Sequence, residues 1–98
     1  MIFSLYFTNR AKESIRTFKH SPHLHKRYSA VSKALGFLAK NPRHPGLQTH
    51  KFTSLAGPKG EEVFEAYAEQ DTPGAYRIFF YYGPQRGEIT VIAVTPHP

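Results

Sequence analysis

The apolar positions of this chain change period twice, and each change marks a different kind of element. Ile2, Phe3, Leu5, Tyr6 and Phe7 form a short β-prone run. Thr8 or Asn9 then stands where a helix cap belongs, and Ala11, Ile15 and Phe18 follow at i, i+4 and i+7. The spacing predicts a helix over 10–19 whose other face carries Arg10, Lys12, Arg16 and Lys19. His20-Ser21-Pro22 ends it, because proline disfavours helical geometry in the residue before it. A longer helix is predicted over 23–40. Leu24, Tyr28, Val31, Leu35 and Leu38 recur at alternating steps of four and three, one continuous apolar stripe, with Lys26, Arg27, Lys33 and Lys40 off it. Asn41-Pro42 stops this helix. The short connection between the two helices predicts an antiparallel hairpin.

The segment 41–46 holds two prolines and a glycine and is expected to be irregular. From Leu47 the pattern turns to β. Strands are predicted over 47–52, 62–69, 75–82 and 88–95, with turns at 54–60, 71–74 and 83–87. In the second of these strands Val63 and Glu65 fall on one side, and Phe64, Ala66 and Ala68 on the other. Tyr67 resists a clean assignment. Strands joined by short turns imply an antiparallel meander. The last strand is apolar on both faces and is expected in the middle of the sheet. The predicted class is α+β: β-α-α followed by an antiparallel meander, with the helical hairpin buried on one face of the sheet. Ninety-eight residues fit one domain, 1–98.

Composition narrows the picture. The chain has no cysteine, which excludes disulfides and thiolate metal sites. It has eight Phe, six Tyr and no Trp, so packing alone must hold a small core together. No apolar run approaches the roughly 20 residues that cross a bilayer. The apolar stretch 1–7 has no basic residue ahead of it and no small-residue cleavage site behind it, so it reads as a strand rather than a signal peptide. The expected location is the cytoplasm, with no membrane partner. His20, His23 and His25 cluster at the helix junction without a carboxylate nearby, which is a surface pattern rather than a metal site. No metal and no cofactor are expected.

Charge is more telling. Residues 1–60 carry eleven Lys/Arg against one acid, Glu13, a net of +10; residues 61–98 carry Arg77 and Arg86 against six acids, a net of −4. A basic half of this size fits a polyanionic partner, nucleic acid first and an acidic protein second. The plain alternative is a solvated surface that aids solubility.

Three segments carry a family resemblance. They are Val31-Ser-Lys-Ala-Leu with Leu38-Ala-Lys-Asn-Pro-Arg-His-Pro-Gly-Leu47 and His50-Lys51; Ala75-Tyr-Arg-Ile-Phe-Phe-Tyr-Tyr82; and Ile89-Thr-Val-Ile-Ala-Val-Thr-Pro-His97. In this order, over nearly the whole chain, they resemble the helix-to-strand segment, the "YRI" strand and the closing strand with its basic tip in the RelE/ParE toxin superfamily. The resemblance implies the toxin of a type II toxin–antitoxin system, held inactive by a cognate acidic antitoxin. RelE-like members cleave mRNA in the ribosomal A site; ParE-like members poison DNA gyrase. The HPGL turn and the histidine near the C-terminus look more like the RNA-cleaving branch, a ribosome-dependent mRNA endonuclease.

Metal-independent RNA cleavage uses the neighbouring 2′-OH as nucleophile, so it needs a proton acceptor, a proton donor and a fixed cation. Arg77 is the candidate cation: it lies inside an apolar strand and needs a partner, whether a phosphate, Glu65 or Glu88. The YRI resemblance supports the phosphate. His97 is the titrating group and resembles the histidine of RNA-cleaving members. Glu65 is a candidate general base. Lys51, His50 and Arg43 are candidates to hold phosphates, or else they decorate a charged edge strand. Tyr82, with Tyr81, is a candidate to stack on a base, or else packs in the core. Strand 62–69 is acidic where RelE-like enzymes often place basic residues, and the sequence stops at Pro98 where active relatives often carry a tyrosine or further basic residues. Those departures motivate an alternative: a non-catalytic RelE/ParE-fold module that binds an acidic antitoxin, or gyrase as ParE-like members do.

Overall fold

The segments of period two and period 3.6 fold into a five-stranded mixed sheet with two helices on one face. The computed structural model describes residues 2–72 and 74–96. Among these, strand β1 is Ser4–Phe7, helix α1 Asn9–His20 and helix α2 His25–Lys40; strands β2 to β5 are His50–Ala56, Glu62–Tyr67, Tyr76–Tyr82 and Glu88–Pro96. Thr8 is the cap of α1: its hydroxyl oxygen accepts from the Ala11 N–H at 3.2 Å. The same hydroxyl donates to the Ile92 carbonyl, which ties the helix start to β5.

Several boundaries differ from the sequence reading; the strand expected over 62–69, for example, ends at Tyr67. Helix α2 starts at His25 rather than 23, because Pro22–Leu24 winds as a tighter 3-10 turn in which Leu24 N–H donates to the Ser21 carbonyl at 2.8 Å. Strand β2 runs over 50–56, not 47–52. Pro45–Leu47 forms another tight turn, and Gln48 takes a left-handed conformation (φ 47°). Leu47 drops into the core instead of joining the strand. The residues 54–56, expected in a turn, extend the strand; the reversal comes at 57–61, where Gly57 N–H donates to the Glu61 carbonyl at 2.9 Å and Gly60 adopts φ 81°.

The strand order is β1-β5-β4-β3-β2. As its apolar faces require, β5 is internal, between β4 on one side and β1 on the other. Strand β1 runs parallel to β5, with Leu5 opposite Ile89, while the remaining pairs are antiparallel. The helices cover one face. Ala11, Phe18, Val31, Ala34 and Leu38 pack there on Ala66, Ile78, Phe80, Ile89, Val91 and Val94. Each large apolar side chain so buried contributes roughly 1.5–3 kcal/mol.

Because successive strand residues point to opposite faces, Ile78 and Phe80 put Arg77, Phe79 and Tyr81 on the other side of β4. A second, smaller cluster sits there: Val63, Phe79 and Ala93, with Phe52 and Ile92 against them. A bulge makes this possible. Phe79 pairs with Ala93 but Phe80 with Val91, so Ile92 is the extra residue and β5 is apolar toward both clusters. No helix is long and apolar enough to cross a membrane.

Candidate functional site

The uncovered face of the sheet holds buried charge. Glu65 is 1 % exposed and Arg77 8 %. Strand register brings them together: β3 sets Tyr67 directly opposite Arg77, and β2 sets His50 directly opposite Glu65. Directly opposed residues share a face. The Arg77 Nε lies 3.9 Å from Glu65 Oε2, and the guanidinium stacks over the Tyr67 ring, 3.7 Å from its centre. One terminal nitrogen donates to the Glu69 carbonyl at 2.7 Å, with a longer contact to that of Tyr76 at 3.4 Å. The Arg77 Nε is itself buried and makes no hydrogen bond among the described residues.

His50 completes the group. Its Nε2 lies 2.8 Å from Glu65 Oε1, and its Nδ1 lies 2.8 Å from the Gln48 carbonyl oxygen. The ring joins a backbone acceptor on one side to a carboxyl group on the other, and the ring nitrogen that carries the proton sets which end donates. One carboxylate, one imidazole and one guanidinium in contact suit proton transfer and stabilisation of negative charge.

The other sequence candidates gather nearby, around the β2 edge. Arg43, Thr49, His50, Lys51, Phe64 and Tyr82 line an open pocket of about 410 Å³. Lys51 and Phe64 are directly opposed, so this pocket opens toward the helix-covered side, while Glu65 and Arg77 face the other. His50 takes part in both. Lys51 also pairs with Glu62 at 3.3 Å, an exposed contact. Tyr81 is buried on the uncovered face rather than offered to a ligand. His97 lies outside the described residues; Thr95 is the direct neighbour of Arg77 on β5. No group of three His, Asp or Glu able to hold a metal occurs among the described residues.

By sequence, the chain matches no family model and no curated protein. By structure it is similar to three toxin structures. A YoeB/ParE toxin from Agrobacterium tumefaciens superposes with a TM-score of 0.71 at 9 % identity, covering 98 % of this chain and all of that one. An archaeal RelE-RelB complex from Pyrococcus horikoshii OT3 gives 0.65 at 14 % identity over 98 % of this chain and 96 % of that one. A YoeB dimer from Staphylococcus aureus gives 0.64 at 12 % identity over the full length of both. The chain has the RelE/YoeB toxin fold.

Three parts of this toxin fold escaped the sequence reading. Tyr67 is the lid on Arg77; its odd-numbered alternation with Val63 and Glu65 was the available signal. Glu69 anchors the group from the strand end, since its carboxylate takes the Arg27 Nε–H at 3.0 Å and the Tyr76 N–H at 3.1 Å. Thr49 fastens the pocket loop by donating to the Pro42 carbonyl at 2.7 Å. On the helical side of the toxin fold, Phe7, Ile15, Tyr28 and Leu35 floor a groove of about 530 Å³ rimmed by Lys12, Arg16, Lys19 and His20.

Proposed function

We propose that this protein is the toxin of a toxin–antitoxin pair and cleaves mRNA on the ribosome without a metal ion. The observation that supports this reading is the buried Glu65–Arg77 pair, bridged to His50, on the uncovered face of a sheet with the toxin fold. Removing two opposite charges from water costs stability that their attraction does not reliably return. A polar group kept on such terms is a candidate for chemistry. In the proposed reaction the Glu65 carboxylate takes the proton of the 2′-OH. The 2′-oxygen then bonds to phosphorus, Arg77 stabilises the charge gathering on the phosphate, and the bond to the 5′-oxygen breaks. His97 protonates that oxygen as it leaves. Lys51, His50 and Arg43 hold neighbouring phosphates, and Tyr82 stacks on a base.

The proposed regulator is an acidic, amphipathic antitoxin segment. The groove between the helices has the apolar floor and basic rim that such a segment would match.

Growth after induction tests the reading, wild type against Arg77→Ala and the isosteric Glu65→Gln, with mRNA 5′ ends mapped in cell-free translation. Arrest with new 5′ ends in the wild type, lost in folded variants, is the expected result. Intact mRNA during growth arrest would overturn cleavage.

One observation favours a second reading, in which the toxin fold binds gyrase or an acidic partner and cuts nothing. Arg77 is almost closed off, sandwiched between Tyr67 and backbone carbonyls. That reading fails if Arg77→Ala and His97→Ala both abolish toxicity in folded protein.

A further inference from the structure

We propose that the pocket behind the β2 edge is a nucleotide site in its own right, one that holds a single phosphate-bearing base of a single-stranded RNA. The inference rests on the RNA reading above and adds where the strand goes next to the reacting phosphate.

The pocket is positively charged. Arg43 and Lys51 bring two basic side chains, the second shared with Glu62 at 3.3 Å, Thr49 adds a hydroxyl, and no acid is among the lining residues. Among the described residues the Arg43 guanidinium pairs with no carboxylate. The loop that presents it is built, not loose. Asn41 Oδ1 accepts from the Arg43 N–H at 3.1 Å, Thr49 bonds back to Pro42, and the His44 ring stacks on Phe37 at 4.1 Å and 7°. A cation held on an ordered loop loses little freedom when an anion arrives.

The pocket also offers a fixed aromatic surface. Five consecutive residues of β4, Arg77 to Tyr81, are buried, yet Tyr82 is 40 % exposed. Its ring does not float. Phe64 packs edgewise against it at 5.4 Å, Phe80 at 5.6 Å, and Phe3 tilts on it at 5.9 Å. Arg43 is close enough for its charge to act on the Tyr82 hydroxyl, opposing the rise in pKa that burial causes. A cation and an immobile exposed ring side by side, in a cavity within the roughly 300–1,000 Å³ range of small-ligand sites, match a phosphate joined to a flat base. An isolated anion would leave the ring unused.

His50 links this pocket to the other face. Its ring lines the pocket and reaches Glu65 at 2.8 Å. A strand whose scissile phosphate lies against Arg77 can therefore cross the β2 edge at His50 and place its neighbouring nucleotide over Tyr82. This nucleotide would be the one whose base the protein reads.

Titrating the isotope-labelled chain with each nucleoside 5′-monophosphate, and separately with inorganic phosphate and with adenosine, tests the site by chemical-shift mapping. Saturable shifts centred on Arg43, Lys51 and the Tyr82 ring are expected. Affinity for at least one nucleotide should exceed that for either fragment by about tenfold, the effect of one stacked base or one charged contact. Arg43→Ala and Tyr82→Ala should each cost about as much, while Lys59→Ala, an exposed cation outside the pocket, leaves the affinity within about twofold. Equal binding of phosphate and nucleotide would mean an anion site only. No saturation, or binding lost with Lys59→Ala and kept with Arg43→Ala, would overturn the proposal. Because this readout needs no cleavage, nucleotide binding without nuclease activity defeats only the function proposed above, and Arg77-dependent cleavage without binding at Tyr82 defeats only the pocket.

Discussion

The two faces of the sheet are made by alternate residues of the same strands, yet they are built on different principles. On the helix side Ile78 and Phe80 disappear under α1 and α2, and nearly everything they touch is apolar. On the opposite side of the same strand Arg77 is buried with Glu65 and under Tyr67, with no helix above them. The first face is sustained by surface removed from water. The second must hold a carboxyl group and a guanidinium out of water, with one guanidinium N–H that meets no hydrogen-bond acceptor among the described residues. The comparison teaches that one face carries the fold and the other spends stability on a charged arrangement.

The sharpest way to break that contrast is on the covered face. Phe80→Ala empties a fully buried site, and unfolding by urea should show a loss of about 3–5 kcal/mol with the slope unchanged. If the loss is below about 1 kcal/mol, the helix face is not what holds the molecule. On the uncovered face the expected sign reverses. Arg77→Met combined with Glu65→Leu should leave stability unchanged or raise it by about 1–4 kcal/mol, because both desolvated charges go together. The same pair should abolish growth arrest. Arg77→Ala alone should cost about 3 kcal/mol, since it leaves Glu65 buried with a cation removed. A destabilised double variant would show that the ion pair is structural.

Smaller effects refine the edges. Burial raises the Tyr82 pKa, with Arg43 acting the other way, and a hydrogen bond and charge from Glu88 raise that of Tyr6. A phenol that keeps its proton to higher pH when folded than when unfolded has no effect below its ordinary range near 10. Stability then falls as pH rises through that range toward the folded value. Tyr82→Phe should flatten this alkaline fall, read as unfolding midpoints between pH 9 and 11 in buffers of about constant ionic strength. The smallest change is expected from Lys51→Ala, which removes the exposed pair with Glu62 and should shift stability by no more than about 0.5 kcal/mol.

The candidate site was legible in its parts and not in its assembly. An arginine in an apolar strand, a glutamate on one side of an alternating strand and a histidine within a β-prone segment were all visible in the order of residues. Tyr67 was not: it shares the parity of Val63 and Glu65, but an amphipathic ring in that place does not say which face it covers, and the reach of Glu69 depends on the turn that follows it. The start of β2 was misplaced by three residues because Leu47, apolar and next to a β-prone run, serves the core through a turn that only the left-handed Gln48 permits.

What the sequence determined by itself is whatever depends on neighbours within a few positions. A cap at Thr8 or Asn9, the two stripes that make helices, the period-two segments and the Pro/Gly turns follow from local backbone and side-chain geometry. The internal place of β5 follows too, from its being apolar on both faces. Only the tertiary structure decided the register that sets His50 against Glu65 and Tyr67 against Arg77, across 15 residues in the first case. The reason is that a strand slipped by one residue keeps its local preferences and sends every side chain to the opposite face. Distant pairing and the helices packed against the sheet, not any local pattern, select the register that gathers these groups.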